Sequence, residues 1–128
     1  MTVVDTSVWI EAHRRPAGRT AATLNALLDA DEVALALPVR LELLAGVARK
    51  DRPALARALT ALPLLRPSDE TWQLIARWLP MAADKGRRFG LAGWLIAALA
   101  SEIDALVWSL DADFAQLERL KMTRQYVI

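Results

Sequence analysis

Three carboxylates stand where an α/β chain could use them. Asp5 follows the short β-favouring run Thr2-Val3-Val4, Asp111 follows an apolar run ending at Trp108, and Glu42 lies one turn into the helix that Pro38 opens. Binding sites in parallel α/β sheets form beyond the carboxyl ends of the strands, so all three acids can converge at one sheet edge. Carboxylates held together repel one another unless a cation joins them. An oxygen-only donor set suits Mg²⁺ or Mn²⁺. Such an ion activates water and stabilises charge on a phosphoryl group. Other chemistries are closed or narrowed. Cysteine is absent and His13 is the one histidine. Disulfides, thiolate nucleophiles and zinc–cysteine sites are excluded, and any triad or histidine metal site would have to be built on His13.

Taken singly, each acid also has a structural reading. An Asp before Thr6-Ser7 at a helix start is often a cap. Glu42, at the rim of its helix's apolar stripe, reads alone as a surface acid. Asp111 and Asp113 open a helical turn, where carboxylates favour the positive end of the dipole. It is the spacing and the shared strand-end context that raise the catalytic reading.

The framework follows from hydrophobic patterning. The 24 alanines and 22 leucines favour helices. Thr2-Val3-Val4, Val33–Leu37, Leu64-Leu65 and Ala105–Trp108 read as short strands, and Met122–Val127 as a last one. Helices are expected after Thr6-Ser7, over Thr20–Ala30, after Pro38, after Pro53 and after Ser68. Leu41, Leu44, Ala45 and Ala48 should face inward on the third of these, and Trp72, Ile75 and Leu79 on the fifth. Pro80 should kink or divide that fifth helix. His13 to Gly18 reads as a loop. Residues 91–101 are apolar nearly all round, which predicts a buried central helix. Strands alternating with helices imply one domain over 1–128, with a mostly parallel sheet between helical layers.

The remaining composition adds limits. The chain has 128 residues and a net charge of +1, so any polyanion must bind through a local patch. Thirteen arginines against three lysines accompany the many alanines, a pattern that composition bias explains at most sites. The apolar run 91–100 falls far short of the roughly 20 residues of a spanning helix, and residues 1–15 do not read as a secretory signal. A cytoplasmic protein is the expectation.

Four segments, in order, resemble the motifs of PIN-domain ribonucleases of the VapC type, the toxins of bacterial toxin–antitoxin pairs. They are Val-Val-Asp-Thr-Ser-Val-Trp-Ile-Glu at 3–11, Leu-Glu-Leu-Leu-Ala-Gly at 41–46, Phe-Gly-Leu-Ala-Gly-Trp-Leu-Ile-Ala-Ala-Leu-Ala at 89–100 and Ser-Leu-Asp-Ala-Asp-Phe at 109–114. The resemblance implies a three-layer α/β/α PIN-like fold and metal-dependent cleavage of RNA. It implies that Asp5 ligates Mg²⁺ or Mn²⁺, that Asp111 completes the site, and that Glu42 binds metal or orients the attacking water. Asp113 would add negative charge. Ser7 or Thr6 would hydrogen-bond a metal-bound water or a phosphate oxygen. A homodimer and a cognate antitoxin that reaches the active site are implied too.

One position departs from that pattern. The third motif of the family carries an Asp in the first helical turn, where this chain has Gly93. A helical glycine costs about 1 kcal/mol relative to alanine, so it needs a reason. Loss of a carboxylate is one; close packing of another backbone is the other. The first predicts a weak or inactive nuclease. The rival function is then a PIN-fold module that binds antitoxin or RNA without cutting; a purely structural domain is a more distant one. Arg14, Arg15 and Arg19, and separately Arg87 and Arg88, are the candidates for gripping RNA phosphates. The five tryptophans are too dispersed for a stacking platform and read as core or interface residues.

Overall fold

The computed structural model describes residues 1–128. Four short strands, β1 (Thr2–Val4), β2 (Val33–Ala36), β3 (Leu64–Leu65) and β4 (Leu106–Trp108), form one sheet in the order β3-β2-β1-β4. Every pairing is parallel, with Val3 opposite both Ala34 and Val107. Parallel strands need long crossovers, and helices in pairs supply them: α1 (Thr6–Arg14) and α2 (Arg19–Asp29), α3 (Leu37–Gly46) and α4 (Arg52–Leu59), then α5 (Asp69–Asp84) and α6 (Leu91–Glu102), with α7 (Asp113–Arg119) following β4.

Alternation along the strands sorts the core into two layers. Val4, Val33 and Trp108 pack with Val8 of α1 and Leu24 of α2. Val3, Ala34 and Val107 point the other way, into the larger cluster built on α5, α6 and α7. Helix α6 is the centre of that layer, buried without a break from Trp94 to Ala100. The expected α/β/α sandwich with a buried sixth helix is therefore what forms. No helix is long and apolar enough to cross a membrane.

Several local expectations need correction. Met122–Val127 is not a strand. Its backbone pairs with the sheet only through a bridge between Val107 and Gln125, with hydrogen bonds from Val107 N to Arg124 O (2.8 Å) and from Tyr126 N to Val107 O (2.8 Å). Lys121 at φ 60° turns the chain just before it, and side chains hold it instead: Glu118 accepts from Gln125 and Arg124 pairs with Asp104. Helix α1 continues to Arg14, which places His13 and Arg14 in its last turn rather than in a loop. Helix α5 runs through Pro80 undivided. Its buried stripe is Thr71, Ile75, Trp78 and Ala82, while Trp72 and Leu79 face solvent. The Ser68–Thr71 capping box and the bond from the Thr71 hydroxyl to Glu102 of α6 (2.6 Å) fix that rotation. On α3, Val39 is buried and Leu43 and Leu44 pack inward, whereas Leu41 and Ala45 are exposed and Ala48 lies beyond the helix.

Candidate active site

The parallel sheet brings the ends of β1, β2 and β4 to one edge. Asp5 follows β1 directly, Glu42 sits on α3 after β2, and Asp111 lies in the loop after β4. Helix α6 joins that edge from the other direction. Its C-terminus leads into the start of β4, so its first turn, with Gly93, stands at the strand ends.

Asp5 occupies the N-cap position of α1, yet its side chain makes no capping hydrogen bond. Its backbone carbonyl accepts from Val8 N, and the carboxylate turns away. The Ser7 and Ser109 hydroxyls each donate to Asp5 Oδ2 at 2.7 Å. Each hydroxyl has one proton, so their 3.3 Å mutual contact adds no further bond. Their lone pairs are used as well: Ser7 Oγ accepts from Leu110 N and Ser109 Oγ from Asp111 N, both at 3.0 Å. Two serines thus lock β1's last carboxylate to the loop that carries Asp111. They leave Asp5 Oδ1 with no protein donor.

Glu42, on the exposed rim of α3, lies within range of the Asp5 charge. Desolvation pushes its pKa above the ordinary 4.5, the Asp5 charge raises it further, and the Thr6 hydroxyl opposes both. That hydroxyl is buried and makes no hydrogen bond of full geometry, so a polar atom aimed at the acids has capacity to spare. Asp111 is held differently. Its Oδ1 accepts at 2.9 Å from Asp113 N, the first amide of α7. Asp113 is exposed in the first turn of that helix. No three acidic side chains lie within reach of a single ion. Asp5 is near enough for its charge to raise the Glu42 pKa, and Asp111 is joined to Asp5 through Ser109.

An oxygen-only set of this kind fits a hydrated Mg²⁺, which uses one or two carboxylates and keeps several waters. The orphaned Thr6 hydroxyl and the open Asp5 Oδ1 are suited to such waters and to the ion itself. Glu42 also carries a testable signature. The folded chain holds its proton more tightly than the unfolded chain does, so its charge weakens the fold above its raised pKa. That penalty disappears as pH falls through the raised value. Glu42→Gln is expected to raise the Tm of chelator-treated protein at about pH 7 and to leave it unchanged near pH ~4. Equal gains at both pH values would show that Asp5 and burial do not strain Glu42.

Gly93 is the third residue of α6 and has an ordinary negative φ. A Cβ built there meets no atom within 4 Å. No neighbouring backbone calls for a glycine, so the packing explanation fails. The arginines divide into two groups. Arg14 ends α1, about 13 Å along the helix from Asp5; Arg15 pairs with Glu11, and Arg19 opens α2. The structure does not bring that group to the acids. Arg87 and Arg88 lie in the loop that enters α6, exposed and without an ion-pair partner. Ser109 has no feature of its own that marks it as a site residue. Its signal was its place in Ser-Leu-Asp-Ala-Asp-Phe, two residues before Asp111.

The family model for the PIN domain matches residues 2–120. The chain belongs to the PIN-domain family. Among PIN-domain relatives, the VapC ribonuclease Mb1587 of Mycobacterium bovis is 31% identical, the match covering 94% of this chain and 93% of the relative. The structure of VapBC-5, a member of the VapBC family of toxin–antitoxin systems from Mycobacterium tuberculosis, superposes with a TM-score of 0.71 at 26% identity, covering 99% of this chain and 98% of that one. VapBC2 from Rickettsia felis shares the PIN fold at a TM-score of 0.78 and 16% identity, over 98% and 96% of the two chains.

Proposed function

We propose that this chain is a VapC-type toxin, an endoribonuclease that cleaves RNA phosphodiester bonds and is neutralised by a cognate antitoxin. The observation that carries the reading is Asp5, fixed by Ser7 and Ser109 with one oxygen left without a protein donor, in a PIN-domain chain resembling a named VapC ribonuclease along nearly its whole length. Asp5 and Glu42 would hold a hydrated Mg²⁺ or Mn²⁺, and Asp111, tied to Asp5 through Ser109, would complete the site through the ion's waters. When bound, the ion supplies positive charge to a phosphoryl oxygen and makes water a stronger nucleophile at neutral pH. Asp5 presents Oδ1 while the serines prevent its carboxylate from rotating. Glu42, whose pKa is raised, is suited to accept a proton from the attacking water. Asp113 adds negative charge beside Asp111.

Residues 1–128 act as one PIN-like unit, and a homodimer in the cytoplasm is the assembly we propose. The VapBC relatives support the antitoxin as partner. Gly93 supports a second reading, in which the chain binds RNA or antitoxin and does not cut. The two separate on incubation of the purified protein with structured and unstructured RNAs in millimolar Mg²⁺ or Mn²⁺. New RNA ends that vanish with chelator and in Asp5→Ala establish the nuclease. Antitoxin binding without new ends establishes the binding module.

A further inference from the structure

We infer that the cleft between the end of α5 and the start of α6 is a subsite for one nucleotide of single-stranded RNA, its base on the apolar wall and its phosphates on Arg87 and Arg88. This rests on the ribonuclease reading and extends it to a place in the fold. The cleft measures about 410 Å³, within the range of about 300–1,000 Å³ typical of small-ligand sites. Leu79, Ala83, Phe89 and Trp94 line it, with both arginines at its margin.

Three observations favour a nucleotide. The first is rigidity of the wall. Phe89 meets Trp94 edge-to-face at 5.1 Å, and Trp94 in turn packs on Trp78 at 6.4 Å. Trp94 is buried and Phe89 beside it is half-buried. Aromatic walls of this kind accept any base, because every base has a π-face. The second is charge. Neither arginine has a carboxylate within ion-pair distance, and no acid stands in the first turn of α6. The margin therefore carries two arginines free of ion pairs, which suits phosphates and not a second apolar surface. The third is position. Trp94 directly follows Gly93, and the topology sets the first turn of α6 at the strand edge that carries Asp5, Glu42 and Asp111. A strand running from the cleft toward the acids stays on one side of the protein.

The test is binding of a fluorescein-labelled single-stranded RNA of about ten nucleotides, by anisotropy in chelator, across a range of KCl concentrations. Arg87→Ala/Arg88→Ala is expected to weaken binding at least tenfold at low salt. It should also flatten the log K against log [salt] slope by about 1.4, at about 0.7 per lost phosphate contact on a single strand. Phe89→Leu keeps an apolar side chain against Trp94 but removes the ring; it should weaken binding about tenfold and leave the slope alone. Both arginines are exposed, so the double variant keeps the parent fold. Unchanged affinity and slope in all variants, with RNA still bound, overturn the subsite and spare the ribonuclease reading. If the variants keep RNA but lose self-association or antitoxin, the cleft is a protein contact and the proposal fails. If the unsubstituted chain binds no RNA and Gly93→Asp cuts none, both fall together.

Discussion

Gly93→Asp is expected to tighten Mn²⁺ binding by about 10- to 100-fold, the scale on which groups around a metal site act, and to raise RNA cleavage with it. The structure removes the obstacles to this substitution. A Cβ at position 93 meets nothing within 4 Å, and φ is ordinary. An acid there would be the third residue of α6, where no acid now meets the positive end of the helix. The new carboxylate would stand at the strand edge with Asp5 and Glu42, whose charges interact with no third acid within reach of one ion. Gly93→Ala separates the effects. It should stabilise the fold by about 1 kcal/mol through helix propensity alone and leave metal affinity unchanged. Calorimetric titration with Mn²⁺ reads the affinity, chelator-treated Tm reads the fold, and new RNA ends read the activity. Equal Mn²⁺ affinity in the parent, Ala and Asp chains would show that position 93 does not belong to the metal site.

Sequence patterning is decisive where a side chain has one possible partner and ambiguous where it has many. The strand-end acids were legible because parallel pairing and short apolar runs decide the edge before any side chain is placed. Helix α6 was legible because its apolar character leaves no outward face. The rotation of α5 was not. Trp72, Ile75 and Leu79 fit a helical period as well as Thr71, Ile75, Trp78 and Ala82 do, and the choice is made by Glu102, thirty-one residues from Thr71. The tail failed as a strand for a similar reason. Its β-favouring residues were visible, but the turn at Lys121 and the polar ties to Glu118 and Asp104 act from outside the segment. At the site, the capping reading of Asp5 was reasonable by local rules, and a serine 104 residues away defeats it. Gly93 shows the converse. Its oddness was readable from sequence, and the open space around it eliminates packing as the cause.

The serine pair leads to the second large effect. Asp5→Asn keeps the shape of the side chain and an oxygen that can still accept from Ser7 and Ser109, so the fold should be nearly unchanged. It removes the negative charge and replaces one carboxylate oxygen with an amide nitrogen that cannot ligate a cation. In the Gly93→Asp background, Asp5→Asn should weaken Mn²⁺ binding by more than about 100-fold and abolish metal-dependent cleavage. Ser109→Ala should do less and in a distinct way. It leaves Asp5 charged but frees Oδ2 from one of its two donors and releases the Asp111 amide. Loss of about tenfold in Mn²⁺ affinity is expected, recovered by Ser109→Thr, which restores the hydroxyl. A double-mutant cycle between Ser7→Ala and Ser109→Ala should be non-additive, because both hydroxyls hold the same oxygen. Strict additivity would show that each serine acts on its own loop, and the fixed orientation of Asp5 would then need another cause.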